Sequence, residues 1–364
     1  MQSTTLHPLE VKEVKRETPD CVSISFTIPD NLKESFAYLS GQYLALETLI
    51  DGEKVRRSYS LCSAPHEGEW KVAIKKVPGG KFSTYANEQL VSGTRMDVMA
   101  PTGNFKIQDA SENEKHYVGF AAGSGITPIL SMIKEVLSQS ETSRFTLFYG
   151  NKGFDHIIFR EELEALKNQY LGRFSLHHIL SREKLGSPLF YGRINGEKSK
   201  VFHEKLLSGK VADQYVLCGP SDMIFSVKEA LEEEGVSSDK IKFELFTTDG
   251  LPTKDLPRSR EEASFDPEVE SKLNIVLDGE NQSFQLRYGG KNILDAALEN
   301  GADLPFACKG GVCSTCKAKV THGEVIMDVN YALEPDEVAA GFVLTCQAHP
   351  RTAEVTVNFD DTTF

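Results

Sequence analysis

The sequence predicts a multidomain protein in which an antiparallel β-barrel, an α/β parallel-sheet domain and a small α+β module follow one another. Three observations support this fold class. Short strand patterns separated by Gly and Pro turns fill residues 1–110, strand and helix patterns alternate through residues 112–246, and a cysteine-rich module occupies residues 273–364. A chain of 364 residues is long enough for several domains, each with its own core.

The composition excludes several classes of protein. A net charge of −13 argues against a nucleic-acid partner. The N-terminus has no basic stretch followed by an apolar one, and no apolar run approaches the roughly 20 residues of a membrane span, so we expect no signal peptide and no membrane partner. Seven cysteines, four of them in one predicted site, suit a reducing compartment, and we therefore expect a cytoplasmic protein.

Residues 1–110 show the strand patterns of the predicted barrel. Apolar and polar residues alternate over 22–28, which is typical of a half-buried strand. Asp51-Gly52 predicts a hairpin turn between strands over 44–50 and 55–61. Short strands joined by such turns favour a small antiparallel barrel.

The second strand of this hairpin contains Arg57-Ser58-Tyr59-Ser60. The guanidinium of Arg57 suits bidentate binding of a pyrophosphate, and the ring of Tyr59 can stack on a flat ligand. Taken alone the motif is weak, because a Tyr in a strand more often serves ordinary cross-strand packing.

A glycine turn, Gly79-Gly80, precedes a predicted helix over 82–89 that begins with Phe82 and Ser83. Free N–H groups at such a turn and at a helix N-terminus can bind pyrophosphate. Gly-Gly before a helix is often only a turn, but together with the arginine motif it predicts a cofactor-phosphate site.

Residues 112–246 alternate between strands and helices, which predicts a parallel sheet with crossover helices. The predicted strands are 117–122, 145–149, 174–180, 214–218 and 241–246. Gly123 and Gly125 follow the first strand, and Thr127 and Pro128 suit the N-cap and first turn of the next helix. A lone G-x-G is weak, yet beside the other motifs it indicates the pyrophosphate turn of a nicotinamide nucleotide.

Two later crossovers supply further candidates. Cys218-Gly219-Pro220 ends a strand at the sheet edge where ligands bind, and Ser221 suits the cap of the next helix. Cys218 is equally compatible with a small buried residue.

Ser181-Arg182 follows the third strand of the predicted sheet. A cation at this position can hold a 2′-phosphate and so favour NADPH over NADH. A lone surface Arg is more often structural, and the coenzyme stays open.

Residues 247–272 contain three prolines and no apolar period, which predicts a flexible tether. The module that follows is predicted to contain a hairpin turn at Asp278-Gly279, a helix around 293–298 and a final strand over 354–359.

Four cysteines in this module follow the pattern C-x4-C-x2-C with one distant partner: Cys308, Cys313, Cys316 and Cys346. This spacing is typical of a plant-type [2Fe–2S] site, which needs four thiolates around two irons. Gly310 and Gly311 let the backbone approach the inorganic sulfurs. A zinc site, which usually uses two short-spaced pairs, and a disulfide set are the alternatives.

Three lysines flank the cysteine loop: Lys309, Lys317 and Lys319. They either offset the negative charge of the cluster or form a basic docking patch for an acidic acceptor.

With these motifs the chain resembles, over its whole length, the ferredoxin–NADP reductase superfamily fused to a plant-type, β-grasp ferredoxin. The resemblance implies that Arg57 binds the pyrophosphate of FAD, that Tyr59 packs on the isoalloxazine and that Ser60 lies near its reactive N5. The Gly-x-x-Ser turn of Gly80 and Ser83 would complete the FAD phosphate site.

The nicotinamide half of that family is matched at Gly123, Gly125, Pro128, Cys218, Gly219 and Pro220. Ser181-Arg182-Glu183 resembles the contact of the family with the 2′-phosphate of NADPH, but the lysine and tyrosine that usually follow are not clearly present. Glu244 and Phe246 resemble a terminal Glu-x-aromatic, in which Phe246 would cover the flavin until nicotinamide displaces it. The resemblance therefore implies that the electron donor is NADPH or NADH.

A narrower similarity, over 306–316 and 330–348, is to the reductases that serve ring-1,2-phenylacetyl-CoA epoxidases in phenylacetate catabolism. It implies electron transfer from NAD(P)H through FAD and the cluster to a diiron oxygenase, with Ser60, Cys218 and Glu244 at the site of hydride transfer. Two alternatives remain, namely the reductase of a Rieske-type or other ring hydroxylase and a non-enzymatic iron–sulfur carrier or sensor.

Overall fold

The structure, a computed structural model, describes residues 5–107, 109–184, 186–246, 270–288 and 290–361. These residues form two compact units, Thr5–Phe246 and a second unit after Phe246. Most of the predicted tether, residues 247–269, lies outside the described residues. Its last three residues were assigned wrongly, because a strand begins at Glu270 and Lys272 pairs with Glu354 in the sheet.

An antiparallel sheet of six strands makes up the first half of the Thr5–Phe246 unit. The strands are β1 (Leu6–Thr18), β2 (Cys21–Thr27), β3 (Tyr43–Ile50), β4 (Glu53–Ser60), β5 (Trp70–Lys75) and β6 (Arg95–Met99). Their spatial order is β4-β3-β6-β1-β2-β5. A bridge between Leu61 and Val72 links the two edge strands, so the sheet closes into the predicted barrel. Helix α1 (Lys81–Glu88) lies between β5 and β6 in the chain.

Strands β1 and β6 are absent from the sequence prediction. Along β1 only Leu9, Val11 and Thr18 are buried, and charged residues occupy many of the other positions. The alternation is therefore too weak to identify the strand, and pairing with β2 and β6 decides its conformation.

The second half of this unit is a parallel sheet with helices, as predicted. Its elements are β7 (His116–Ala122), α2 (Ile126–Gln139), β8 (Arg144–Asn151), α3 (Arg160–Gln169), β9 (Phe174–Leu180), α4 (Gly196–Lys205), β10 (Gln214–Cys218), α5 (Ser221–Glu233) and β11 (Ile241–Glu244). The strand order is β11-β10-β7-β8-β9. The last strand ends two residues before the predicted end at Phe246.

Both predicted helix caps in this half are wrong. Helix α2 begins at Ile126, after a single 3₁₀ turn over Gly123–Gly125, and the Thr127 hydroxyl donates to the carbonyl of Ser124 at 3.0 Å. Helix α5 begins at Ser221 itself, and the extended residue before it is Pro220. Thr127 and Ser221 therefore lie inside the first turns of their helices.

The second unit is a mixed sheet with one main helix, the β-grasp arrangement that was predicted. Its elements are β12 (Glu270–Leu277), β13 (Glu280–Arg287), α6 (Ile293–Glu299), β14 (Lys317–His322), β15 (Val325–Met327), α7 (Pro335–Ala339), β16 (Phe342–Leu344), β17 (Ala348–Pro350) and β18 (Glu354–Asn358). Strand β12 pairs antiparallel with β13 across the predicted Asp278-Gly279 turn and parallel with β18. None of the helices in the described ranges is long and apolar enough to cross a membrane.

Candidate functional site

Strand β4 presents the arginine motif on the barrel. Arg57 is exposed, and its guanidinium donates to the neighbouring carbonyl of Arg56 at 2.7 Å. The Ser58 hydroxyl is buried and has no hydrogen-bond partner in the described part of the chain. The ring of Tyr59 lies 5.4 Å from that of Phe82, centroid to centroid. A projecting cation, an orphaned hydroxyl and an aromatic pair on one strand fit a flavin nucleotide.

The predicted glycine turn leads into α1. Gly80 is the N-cap residue, and a Cβ there would lie 2.5 Å from both the Ser83 hydroxyl and a methyl of Val77. The Ser83 hydroxyl accepts from the N–H of Val77 at 3.2 Å, which holds the turn closed. The first turn of α1 contains no acidic residue, so its free N–H groups remain favourable for a phosphate.

Ser60, at the end of β4, makes the contact between the barrel and β11. Its hydroxyl donates to the carboxyl Oε2 of Glu244 at 2.8 Å. Burial raises the pKa of Glu244 to about 8, although the hydrogen bond from Ser60 opposes the shift. A carboxyl of this kind keeps its proton at neutral pH and can hold or release it beside a reacting ring.

The two glycine-rich turns of the parallel sheet pack directly on each other. A Cβ on Gly125 would lie 2.0 Å from the carbonyl oxygen of Cys218, and one on Gly219 would lie 3.1 Å from the Cβ of Ala122. Gly123 has a φ of 55°. The structure thus brings the two predicted nucleotide motifs together, and the Gly125 position has no space for any side chain.

The other predicted residues of this edge differ in exposure. Thr127 is buried in the first turn of α2, which also contains Pro128. Cys218 is completely buried, and burial together with the nearby Glu244 charge raises the pKa of its thiol well above the usual value. Phe246, beyond β11, is 39% exposed. A contact of the Cys218 thiol or the Phe246 ring with a cofactor stays a prediction.

The predicted 2′-phosphate contact lies in the loop after β9. The backbone N–H of Ser181 donates to the carbonyl of Asn151, the last residue of β8, and that of Arg182 to the carbonyl of Lys152, each at 2.9 Å, while the Arg182 side chain is exposed. Glu183 instead accepts from the N–H of Phe154 at 3.1 Å, so it braces the loop.

Two further residues that the motifs did not indicate lie in this region. The Nζ of Lys184 lies 5.8 Å from the ring centroid of Tyr191, which is 41% exposed. The sequence did not show clearly whether a lysine and a tyrosine follow Ser181-Arg182-Glu183, and the folded loop places these two side chains near each other.

The four cysteines of the second unit meet as two pairs. The thiol of Cys308 hydrogen-bonds with that of Cys313, and the thiol of Cys316 with that of Cys346. None of them is in a disulfide. Two cysteines for each of two irons is the arrangement that a [2Fe–2S] cluster needs. No three His, Cys, Asp or Glu side chains in the described ranges converge on a point suited to one metal ion.

The backbone of the cysteine loop supports thiolates. The pKa of Cys308 is lowered by the thiol of Cys313 and by surrounding backbone N–H groups, including that of Gly310, which lies 3.3 Å from the sulfur. Gly311 has a φ of 73°, and a Cβ there would lie 2.9 Å from a methyl of Val329. These donors and this close approach fit a cluster with negatively charged sulfur.

Each of the three lysines that flank this loop has a carboxylate partner. The ion pairs are Lys309–Asp295 at 2.6 Å, Lys317–Glu337 at 3.1 Å and Lys319–Asp361 at 3.2 Å. Because these carboxylates already balance the lysines, the pairing favours neither compensation of the cluster charge nor a basic docking patch, and both stay predictions.

Comparisons with known proteins agree with this architecture. Family models match residues 8–107 as an oxidoreductase FAD-binding domain, 120–229 as an oxidoreductase NAD-binding domain and 275–351 as a 2Fe-2S iron-sulfur cluster binding domain. The fold and sites therefore define an NAD(P)H-dependent oxidoreductase that transfers electrons through FAD and a [2Fe–2S] cluster.

Relatives that match this chain over nearly its full length narrow the class of oxidoreductase. The chain is 43% identical over 357 residues, 98% of each chain, to a component of the 1,2-phenylacetyl-CoA epoxidase of Escherichia coli K12. It is 31% identical over 96% of each chain to the ferredoxin reductase component of 3-ketosteroid-9-alpha-monooxygenase from Rhodococcus rhodochrous. The protein belongs to this family of reductase components that pass electrons to oxygenases.

A solved structure shares the fold. Phthalate dioxygenase reductase, described as a modular structure for electron transfer from pyridine nucleotides to [2Fe-2S], matches with a TM-score of 0.57 at 21% identity. The match covers 97% of this chain and 98% of that one.

Proposed function

We propose that this protein is the reductase component of a phenylacetyl-CoA epoxidase, and that its electron acceptor is the diiron oxygenase component of that enzyme. The observation that carries the proposal is the 43% identity to the Escherichia coli epoxidase component over 98% of both chains. We place the protein in the cytoplasm, where NAD(P)H is available and the cluster thiols stay reduced.

We assign FAD binding to residues 1–110, nicotinamide-nucleotide binding to 112–246 and the cluster to 270–364. FAD accepts two electrons as hydride and returns them singly, which matches a two-electron donor to a one-electron cluster. Within the chain, Arg57 and the α1 N-terminus would bind the FAD phosphates. The pair Ser60–Glu244 would hold a proton beside the flavin ring, and the carboxyl is neutral near pH 7 because burial raises its pKa to about 8.

NADPH is the coenzyme that we propose, with NADH as the alternative. Arg182 and Lys184 are both exposed cations of one loop, and Lys184 stands near the exposed ring of Tyr191. A 2′-phosphate can pair with the cations while an adenine stacks on a ring, and NADH lacks the group that the cations would bind.

An alternative acceptor is the oxygenase of another system, for example a Rieske-type hydroxylase. The 31% identity to the reductase component of a steroid monooxygenase supports an acceptor other than the epoxidase. The test supplies the purified protein with NADPH and, in separate assays, a phenylacetyl-CoA epoxidase oxygenase component or a Rieske oxygenase, each with its substrate. We expect epoxide from phenylacetyl-CoA. Product from the Rieske enzyme alone would overturn the assignment.

A matched control separates the acceptor from the reductase. The same protein should reduce an artificial dye with NADPH in the absence of any oxygenase. If dye is reduced but neither oxygenase is driven, the acceptor assignment is wrong while the reductase class stands.

A further inference from the structure

We propose that Lys134 is a positioning residue for hydride transfer. It holds the strand that binds flavin in a defined position relative to the helix that begins at the nucleotide turn. The proposal rests on the assignment of the FAD and nucleotide sites given above. It concerns the segment 60–67, called here the connecting segment, which begins at Ser60, the last residue of the arginine motif of β4.

The connecting segment contacts α2 through buried backbone groups. The Ser131 hydroxyl donates to the carbonyl of Ser63 at 2.6 Å, and both serines have no exposed surface. The Lys134 ammonium lies 3.4 Å from the carbonyl of Cys62. Because Ser131 and Lys134 are three residues apart, they lie on one face of the helix.

Lys134 is also the centre of a charge cluster, in which the lysine is buried while the side chains of Glu67 and Glu162 are 32% and 36% exposed. Its Nζ lies 3.1 Å from Glu67 of the connecting segment and also forms an ion pair with Glu162 of α3. The Lys134 side chain is only 7% exposed. Burial disfavours the charge, but Glu162 and Glu67 more than offset that cost, so the pKa of Lys134 is raised.

Further contacts hold the connecting segment at both ends. His66 Nδ1 lies 2.6 Å from the carboxylate of Glu135, the residue after Lys134. Glu67 accepts from the N–H of Ala64 at 2.7 Å, which fixes the local turn. At the other end, Ser60 donates to Glu244 at 2.8 Å.

The two halves of the first unit do not need such a cluster to hold together. The same boundary has a continuous apolar core, in which Cys62 and Phe105 of the barrel half pack with Ile129 and Ile133 of α2. Ion pairs of a buried lysine with half-buried carboxylates contribute little net stability compared with apolar packing, but their contacts are directional. They therefore fix the register between the two halves where apolar contacts alone would allow sliding.

That register matters for the chemistry. The connecting segment continues the strand of Arg57 and Ser60, and α2 begins next to Gly123–Gly125. A displacement of the connecting segment on α2 would change the separation of the two cofactor sites. Hydride transfer is sensitive to misplacement on the order of 1 Å.

The test compares Lys134→Met, which keeps an unbranched side chain one atom shorter and removes the ammonium group, with Lys134→Arg and a control, Lys200→Met. Lys200 is a surface lysine of α4 that is paired with Glu233. Anaerobic stopped-flow reduction of the bound flavin by NADPH would give the limiting rate and the coenzyme dissociation constant separately. We expect Lys134→Met to lower the limiting rate by about ten-fold or more, with less than a two-fold change in the dissociation constant.

Lys134→Arg should recover most of the rate, and Lys200→Met should match the parent protein. Hydrogen exchange of the amides in the connecting segment supplies a readout independent of activity, and it should accelerate in Lys134→Met only. A limiting rate that is unchanged in Lys134→Met, or a loss that appears only in the dissociation constant, would overturn the proposal.

If Lys134→Met does not fold, Glu67→Gln provides the same test with a smaller perturbation, because it removes a charge that pairs with Lys134 and keeps the size of the side chain. A lower limiting rate supports the proposal, and an unchanged rate contradicts it. The parent protein distinguishes failure of this proposal from failure of the proposed function, because a flavin that neither NADPH nor NADH reduces would refute the site assignments themselves.

Discussion

The hydroxyl of Ser60, on the barrel, donates a hydrogen bond of 2.8 Å to the carboxyl of Glu244, at the end of the parallel sheet. This contact closes the first unit at the position where the predicted flavin and nicotinamide motifs meet. Glu244 has a pKa of about 8 because it is buried, so the contact contains a proton that can be exchanged in the neutral range.

Glu244 should make the stability of the first unit depend on pH. Its carboxyl titrates near 4.5 in the unfolded chain and near 8 in the folded one, so the folded state binds more protons between these values. Stability is therefore expected to fall as the pH rises through this window and to level off above it. Urea unfolding, followed by the fluorescence of the single tryptophan, should show a flatter dependence in Glu244→Gln. Equal slopes of the unfolding free energy against pH in the parent protein and Glu244→Gln would contradict the raised pKa of Glu244.

Replacement of Ser60 by Ala should slow flavin reduction. The hydrogen bond from Ser60 opposes the effect of burial, so its loss should raise the pKa of Glu244 further. We expect flavin reduction by NADPH to be slower by about ten-fold, equivalent to about 1.4 kcal/mol, and the pH profile to move to higher pH. Ser35→Ala, an exposed serine, is the control. If the pH profile of flavin reduction is the same in Ser60→Ala as in the parent protein, Ser60 does not tune the pKa of Glu244.

Gly125→Ala should damage the nucleotide turn. The new Cβ would lie 2.0 Å from the Cys218 carbonyl oxygen, a backbone atom that cannot rotate away. We expect a loss of about 1–3 kcal/mol or more in the free energy of unfolding, with weaker NADPH binding. Gly172→Ala is a useful comparison, because Gly172 has open space around it and its substitution costs only the backbone strain of a φ of 81°. Equal costs in both variants would mean that the contact with Cys218 is not limiting.

Cys346→Ser should remove the cluster and leave the flavin. Absorbance and iron analysis are expected to show FAD without the [2Fe–2S] bands, NADPH should still reduce the flavin, and electrons should not reach the oxygenase. Cys21→Ala is the control, because Cys21 is a buried cysteine of the first unit. Full iron content in Cys346→Ser would refute the ligand set.

Lys184→Gln should raise the KM for NADPH and leave that for NADH unchanged, since only NADPH has a 2′-phosphate. A change of about ten-fold corresponds to about 1.4 kcal/mol, within the range of a charge-assisted contact. Steady-state dye reduction with both coenzymes measures it, and Lys200→Gln controls for the loss of a surface charge. A parallel change in both KM values would argue against contact with the phosphate.

Much of this architecture follows from local patterns. Alternation over 22–28 and the turns at Asp51-Gly52 and Asp278-Gly279 identify strands and hairpins because they depend on near neighbours. The predicted half-burial of the strand over 22–28 was wrong, because Ser23 and Ser25 are buried as well. Strand β1 could not be found in this way, because few of its side chains are buried. The helix starts at Thr127 and Ser221 were also misplaced, since the adjoining turns decide them.

The sequence by itself determined the order of the domains, the cofactor motifs and the identity of the four cysteines, because these are encoded in short spacings and residue types. Tertiary structure alone decided which distant residues meet. The pairs Ser60–Glu244 and Lys134–Glu67 join residues that are far apart in the sequence. No local pattern specifies such contacts, because they depend on the packing of whole elements and on the requirement that buried charges and hydroxyls find partners.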